Sequence, residues 1–266
     1  MNLCLFKGFL RAESEMKNLD QGWNMDYEKW SQKMKIPIIF EDNHLLVVNK
    51  PPNILSQADK TGDKDLLTLL KQDLKLRYNK PGNVYLGLVH RLDRPVGGVM
   101  IFAKTSKAAS RLSNQIREQE FKKTYLAVVH GKTEQSGRLR HYLVKNPDTN
   151  MVAAVGKGTI NAKEAVLDFL LLESSKGFSL LKINLLTGRS HQIRVQLAAS
   201  GHPLFGDLRY GADVNRPGQQ IALFCQQISC LHPTLKEPMT FSQLPEDAYP
   251  WNLFTAYLLG ATKGGI

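Results

Sequence analysis

Apolar positions along the chain come mostly in short runs of strand character, broken by three stretches of helical period and by many Gly, Pro and Asn turns. Residues 36–40 and 45–48 are apolar runs on either side of Glu41-Asp42-Asn43, which predicts a β-hairpin leading into Lys50-Pro51-Pro52. Leu66, Leu67, Leu69, Leu70 and Leu74 recur at helical spacing, so residues 65–77 are expected as a helix. Residues 84–89 and 99–103 are expected as strands around a Pro/Gly turn at 94–98. A helix follows from Ser106, taken as its N-cap, with Ala109, Leu112, Ser113 and Ile116 on one face. Strands are expected at 125–129, 138–144, 165–172 and 179–186. A short helix at 190–199 is closed by Gly201, and residues 221–230 close the sheet.

These strands arrive in hairpin-like runs rather than strict strand-helix alternation. That order predicts an α+β fold with a mixed, mainly antiparallel central β-sheet flanked by helices and loops. Residues 1–35 mix charges with isolated aromatics and hold no period, so they are set apart as a loose or partly helical arm. Residues 36–255 are expected to form one domain, and 256–266 a C-terminal tail.

Composition narrows the function classes. At 42 % hydrophobic over 266 residues the chain can bury a sizeable core. Lys and Arg number 35 against 24 Asp and Glu, a formal net charge of +11, which suits a polyanionic partner such as nucleic acid. Three cysteines, Cys4, Cys225 and Cys230, exclude a disulfide framework and point to a reducing, cytoplasmic setting. No apolar run reaches the ~20 residues of a membrane span, so no membrane association is expected. The opening MNLCLFKGFLRAESEM has the features of neither a signal nor a transit peptide, and Met16, Met25 and Met34 are alternative starts.

Two segments concentrate reactive side chains. In Val89-His90-Arg91-Leu92-Asp93-Arg94-Pro95-Val96-Gly97-Gly98 a carboxylate sits between two arginines on a turn stiffened by Pro95 and opened by glycines. Such a turn presents Asp93 to a substrate, or else it is a surface ion-pair cluster. In Thr187-Gly188-Arg189-Ser190-His191-Gln192-Ile193-Arg194 a strand runs into a helix N-terminus beside two arginines, a place for a phosphate or an enzyme carboxylate. The alternative there is an ordinary amphipathic helix with a solvated polar face. A third segment, Lys122-Lys123-Thr124-Tyr125, opens a strand with basic residues and a tyrosine able to stack on a base or move a proton. His202, Cys225, Cys230 and His232 do not read as a metal site, because the cysteines lie in an apolar strand where thiols pack as small hydrophobes. Gly156-Lys157-Gly158-Thr159 lacks the first glycine of a phosphate loop, since Met151 occupies it.

Together these segments resemble the RluA-type family of pseudouridine synthases, over residues 36–245. The HRLD signature with its following turn and strand ending in Ala-Lys stands at His90 to Lys104. The K-x-Y-x-A-x-V-x-G strand stands at Lys123, Tyr125, Ala127, Val129 and Gly131. The GR-[ST]-HQIR stretch with its later GHP, GD and YG runs from Gly188 to Gly211. Weaker matches lie at Glu41-Asp42 to Lys50-Pro51 and at His232-Pro233 to Phe241. The chain departs from the pattern at Val96-Gly97-Gly98, where Thr-Ser-Gly is usual, at Gln196 for a frequent histidine, and at Phe224-Cys225 for a frequent His-Ala.

The resemblance implies isomerisation of chosen uridines in ribosomal or transfer RNA, with no metal and no organic cofactor. It implies Asp93 as the essential carboxylate, Arg194 as its partner, and Tyr125 as the group that stacks on uracil and helps move the proton from carbon 5. Arg91 would fill the gap left by a flipped uridine. His90, Lys104, Lys122, Lys123, Arg189 and His191 are further candidates for holding the RNA. Some relatives carry a small RNA-binding domain ahead of the catalytic one; the arm is too short for it, so the catalytic domain itself is expected to recognise a short stem-loop, as a monomer. The competing expectation is a catalytically idle RNA-binding protein on the same fold, motivated by the altered Val96-Gly97 turn.

Overall fold

The computed structural model describes residues 36–263, so the arm expected over 1–35 lies outside the described residues. Among the described residues eleven strands make one sheet and four α-helices pack around it. The strands are β1 (Ile38–Glu41), β2 (Leu45–Lys50), β3 (Gly87–Leu88), β4 (Gly97–Ala103), β5 (Lys122–His130), β6 (Ser136–Lys145), β7 (Val152–Val155), β8 (Lys163–Ser175), β9 (Phe178–Leu185), β10 (Leu223–Leu231) and β11 (Pro238–Ser242). The helices are α1 (Leu66–Arg77), α2 (Ser106–Arg117), α3 (Gln192–Ala199) and α4 (Thr255–Lys263). The sheet order β1-β2-β4-β10-β5-β9-β8-β6-β7 is antiparallel throughout except between β4 and β10, which run parallel. This is the mixed, mainly antiparallel α+β sheet that the hairpin-like order of strands predicts.

Local chemistry explains most boundaries. The first hairpin turns on Asp42, whose Oδ1 accepts the N–H groups of His44 and Leu45 at 2.7 and 2.6 Å. Asp65 caps α1 by accepting the Thr68 N–H at 3.1 Å. Helix α2 is capped one residue earlier than expected, because Thr105 and not Ser106 accepts the Ala108 N–H. Its inward stripe is correspondingly Ala108, Leu112 and Gln115, while Ser113 is exposed. Gln115 is a buried polar residue in that stripe because its amide bonds both the N–H and the C=O of Leu231.

Three expectations change. Only Gly87–Leu88 of the run at 84–89 is strand, so that segment is mainly a connector. Residues 221–230 do not close the sheet: β10 lies at its centre between β4 and β5, which is why its side chains are so largely buried. The tail set apart at 256 begins inside α4, where Leu258 packs with Trp251 and Phe254 against Leu126, Val128 and Phe224. Strands β7 and β11 carry no clear signal in the sequence. The first has four residues, too few for a period, and the second opens on a proline and pairs only with β10, as an edge strand does. Among the described residues no helix is long and apolar enough to cross a membrane.

Candidate active site

The parallel pair β4/β10 sets the place of the site, because the loop before β4 carries Asp93 to the sheet's end. Val96 donates to the Asp93 carbonyl at 3.0 Å, closing a four-residue turn over Asp93, Arg94, Pro95 and Val96. Every backbone carbonyl from 92 to 96 in this loop has a donor. Ser56 Oγ donates to Leu92 at 2.7 Å, Lys50 Nζ to Arg94 at 3.1 Å and to Val96 at 2.7 Å, and Gln220 Nε2 to Pro95 at 2.6 Å. Lys50 has no exposed surface, yet it ends an apolar strand; burial pushes its ammonium down to about 7, the Asp93 charge pulls the other way, and the carbonyl acceptors favour the protonated form. A loop held by its carbonyls keeps its side chains in place without using them. Asp93 is left half-buried and facing the groove.

Both glycines of the Val96-Gly97-Gly98 turn sit against neighbouring backbone. A Cβ at Gly97 would lie 3.2 Å from the Lys50 carbonyl, and one at Gly98 would fall 2.3 Å from the Cys225 carbonyl. Gly98 also has φ +121°, a conformation that other residues rarely adopt. Val96 is buried, and Lys50 supplies the loop-bracing donors there.

Opposite the loop, the turn from β9 into α3 brings Arg194 to Asp93. Gln192 builds this turn: its Oε1 accepts from Thr187 Oγ1 at 2.7 Å and from the Arg189 N–H at 3.0 Å, and its Nε2 donates to Val166. Residues 192–197 of α3 are all buried, so this is not an amphipathic helix with a solvated polar face. Gln196 contributes by donating to the Leu139 and Ala165 carbonyls, which ties α3 to β6 and β8. Arg194 is gripped by Asp207 through two parallel bonds of 2.8 Å, from Nε and Nη2, and its Nη1 reaches Asp93 Oδ2 at 3.3 Å. Burial opposes the guanidinium charge, but Asp207 and Asp93 outweigh it and hold the group more firmly protonated. The Tyr210 ring lies under the same guanidinium at 5.2 Å.

Tyr125 also lines the groove, from β5. It pairs across strands with Cys225. Burial first, then the Cys225 and Asp93 neighbours, raise its phenol well above 10, so it stays protonated at neutral pH. Lys123 shares this face, two residues before it, and burial lowers its ammonium. Among the described residues the Lys123 ammonium has no ion-pair partner; it stands near Gly188.

The remaining candidates divide. Arg91, Lys122 and Arg189 are exposed on the groove's rim, Arg189 steadied by donating to the Glu164 carbonyl at 2.9 Å. His191 joins the centre, with Nε2 3.9 Å from Asp93 Oδ2. His90 lines the groove with a buried ring that accepts the Ile101 N–H at 3.0 Å, and burial, with Lys123 adding to it, pushes it down to about 3. Lys104 is not in the groove at all, because it pairs with Glu41 at 2.7 Å beside the first hairpin. His202 bonds the His130 carbonyl and His232 bonds Asp42, and among the described residues no three His, Cys, Asp or Glu side chains group as metal ligands.

A family model described as RNA pseudouridylate synthase matches residues 44–199, more than half of the chain. The chain belongs to the RNA pseudouridine synthase family. It is an isomerase that acts on RNA. A relative from Mycoplasma pneumoniae named as an RNA pseudouridine synthase is 33% identical over 242 residues, covering 83% of this chain and 76% of the relative. The ribosomal large subunit pseudouridine synthase D of Nitrosomonas europaea is 32% identical over 234 residues, covering 84% of this chain and 66% of that protein, which points to the RluA type. The solved structure of human RNA pseudouridylate synthase domain containing 4 matches in fold, with a TM-score of 0.69 at 22% identity over 84% of this chain and 94% of that one.

The matched stretch of the synthase holds Asp93, Tyr125 and Arg194, but stops short of Asp207 and Tyr210. Sequence reasoning assigned no role to those two, nor to Lys50, Ser56 and Gln220. A signal existed for two of them: Asp207 and Tyr210 are the D and Y of the GD and YG pairs. A lysine ending an apolar strand before two prolines was a third.

Proposed function

We propose that this synthase isomerises selected uridines of ribosomal or transfer RNA, with Asp93 as the reacting carboxylate, Arg194 as its partner and Tyr125 as the group that stacks on the base. The observation that carries this reading is the Asp207–Arg194–Asp93 chain, two short bonds and one of 3.3 Å, whose Arg194 and Asp93 line a groove rimmed by exposed basic side chains. The reaction breaks the bond between ribose carbon 1′ and N1 of uracil, turns the base, and joins carbon 1′ to carbon 5. A proton leaves carbon 5 and N1 gains one, so no electron carrier is needed. The base must not escape between the two steps, and a fixed carboxylate facing a half-enclosed groove suits that need.

Arg194 orients Asp93, and Asp207 orients Arg194 in turn. Tyr125, held as the neutral phenol, offers a flat face to uracil and an O–H to a neighbouring acceptor. Arg91 stands on the rim where it would fill the gap left by a flipped nucleotide, a step costing a few kcal/mol that a loop or bulge makes cheaper. Lys122, Lys123 and Arg189 are proposed as phosphate contacts; Lys104, paired elsewhere, is not. The synthase is further proposed to work as a cytoplasmic monomer on a stem-loop, with residues 36–255 as its catalytic part.

The direct test compares pseudouridines in ribosomal and transfer RNA from cells with and without the gene, using chemical labelling that halts reverse transcription at each one. Loss of one or a few sites, restored by the wild-type gene and not by Asp93→Asn, is expected. An unchanged map in both RNA classes contradicts the substrate assignment.

A further inference from the structure

His191 stands where the turn enters α3, in the left-handed conformation with φ 50°, and its ring bridges two groups. Nδ1 lies 2.7 Å from the Tyr210 hydroxyl, and Nε2 lies 3.9 Å from Asp93 Oδ2. The Tyr210 oxygen already accepts the Val152 N–H at 3.1 Å. Its own proton therefore finds its acceptor at Nδ1; a proton on Nδ1 would leave the phenol accepting twice and its O–H unused, at a cost of about 1–3 kcal/mol where the site is dry. Which nitrogen of a histidine carries the proton follows from the bond the other makes. Nε2 is then the protonated nitrogen, and it faces the carboxylate.

We propose that His191 is a positioning residue for Asp93, locked by Tyr210 as the Nε2–H tautomer so that one ring N–H and one Arg194 N–H flank the same carboxylate oxygen. The inference rests on the reading of Asp93 as the reacting carboxylate. At 3.9 Å the ring is not yet bonded to Asp93; contacts of this kind tighten when substrate closes the site. The charged and titratable groups facing the ring are Asp93 from the loop, Arg194 from α3, and Asp207, Arg209 and Tyr210 from the segment beyond it. Burial lowers the imidazole, Asp93 raises it, Arg194 and Arg209 lower it, and Asp207 raises it, with a net fall. The ring is thus neutral at pH 7, an oriented dipole rather than a second cation. This differs from the expectation that His191 touches the RNA.

Two measurements decide the matter. Long-range nitrogen-15 spectra of the wild-type protein labelled at histidine report the tautomer without reference to activity; the Nε2–H form is expected for His191, and an Nδ1–H or doubly protonated ring at pH 7 overturns the proposal. Single-turnover rates and RNA affinities of His191→Ala, His191→Gln and Tyr210→Phe supply the second. His191→Ala is expected to slow the saturated rate about 10-fold or more with affinity unchanged, the Gln amide to recover part of it, and Tyr210→Phe to alter both the tautomer and the rate. Weaker RNA binding at an unchanged saturated rate makes His191 an RNA contact instead, and a lowered melting temperature with a normal rate makes it structural only. Asp93→Asn, run alongside, separates the two readings: if it stays active, the assignment of Asp93 fails whatever the His191 variants do.

Discussion

The two walls of the groove are held in opposite ways. On the Asp93 wall the backbone is immobilised and the side chain left available: Ser56, Lys50 and Gln220 take the carbonyls of the loop, and the Asp93 carboxylate makes a single hydrogen bond, of 3.3 Å. On the rim formed by Arg91, Lys122 and Arg189 the charges stay exposed, and among them only Arg189 is tied to a neighbour. Where a reaction must be placed to a fraction of an ångström, the chain commits buried polar groups. Where a flexible polyanion must be captured, it leaves cations solvated and adaptable.

The difference is broken most severely at the Asp207–Arg194 fork. Replacing Arg194 with Lys removes the planar reach that spans both carboxylates, so the saturated rate is expected to drop about 100-fold or more while RNA binding stays within a few-fold. Single-turnover assays with a fixed RNA check this, and a rate near wild type shows that Arg194 does not orient the reacting group. Lys50→Met frees the Arg94 and Val96 carbonyls and lets the loop wander; a loss of about 10- to 100-fold in rate is expected, again with little change in affinity. Normal turnover in that variant means the loop holds its shape without the clamp.

Smaller effects sharpen the comparison. His90 belongs to the rigid wall, at about 3 in the folded protein against an ordinary 6.5 in the unfolded chain. As pH falls below 6.5 the unfolded chain takes up a proton that the folded one refuses until about pH 3, so stability is lost across this window. Denaturation between pH 7 and 5 is expected to show a slope of up to about 1.4 kcal/mol per pH unit that His90→Asn lacks. On the adaptable rim, Lys122→Ala is expected to leave the saturated rate alone, weaken binding a few-fold and reduce the salt slope by about one. A slope equal to wild type removes Lys122 from the phosphate contacts.

The sequence made the centre of the site legible and its supports much less so. Asp93 and Arg194 stood out in segments where reactive types crowd beside Gly and Pro turns, Tyr125 only through the family resemblance, and the structure places all three along one groove. Asp207 and Lys50 were harder to see. Their partners lie 13 residues away and about 44 residues away in the chain, and no local spacing encodes such bonds. Burial also misled: His90 sits next to reactive residues in sequence, yet the strand's geometry spends its ring on the Ile101 N–H. The hairpins followed from apolar runs set between turn residues, while the central place of β10 did not, since its parallel pairing with β4 joins Gly97 to Phe224, far apart in the chain.

The most direct test takes purified wild-type and Asp93→Asn protein, measures RNA affinity for both, and follows pseudouridine formation under single-turnover conditions. If Asp93 is the reacting carboxylate, the variant binds the RNA as tightly as wild type and forms no pseudouridine. Turnover by the Asn variant at a rate comparable to wild type would contradict it and would move the chemistry to another group in the groove.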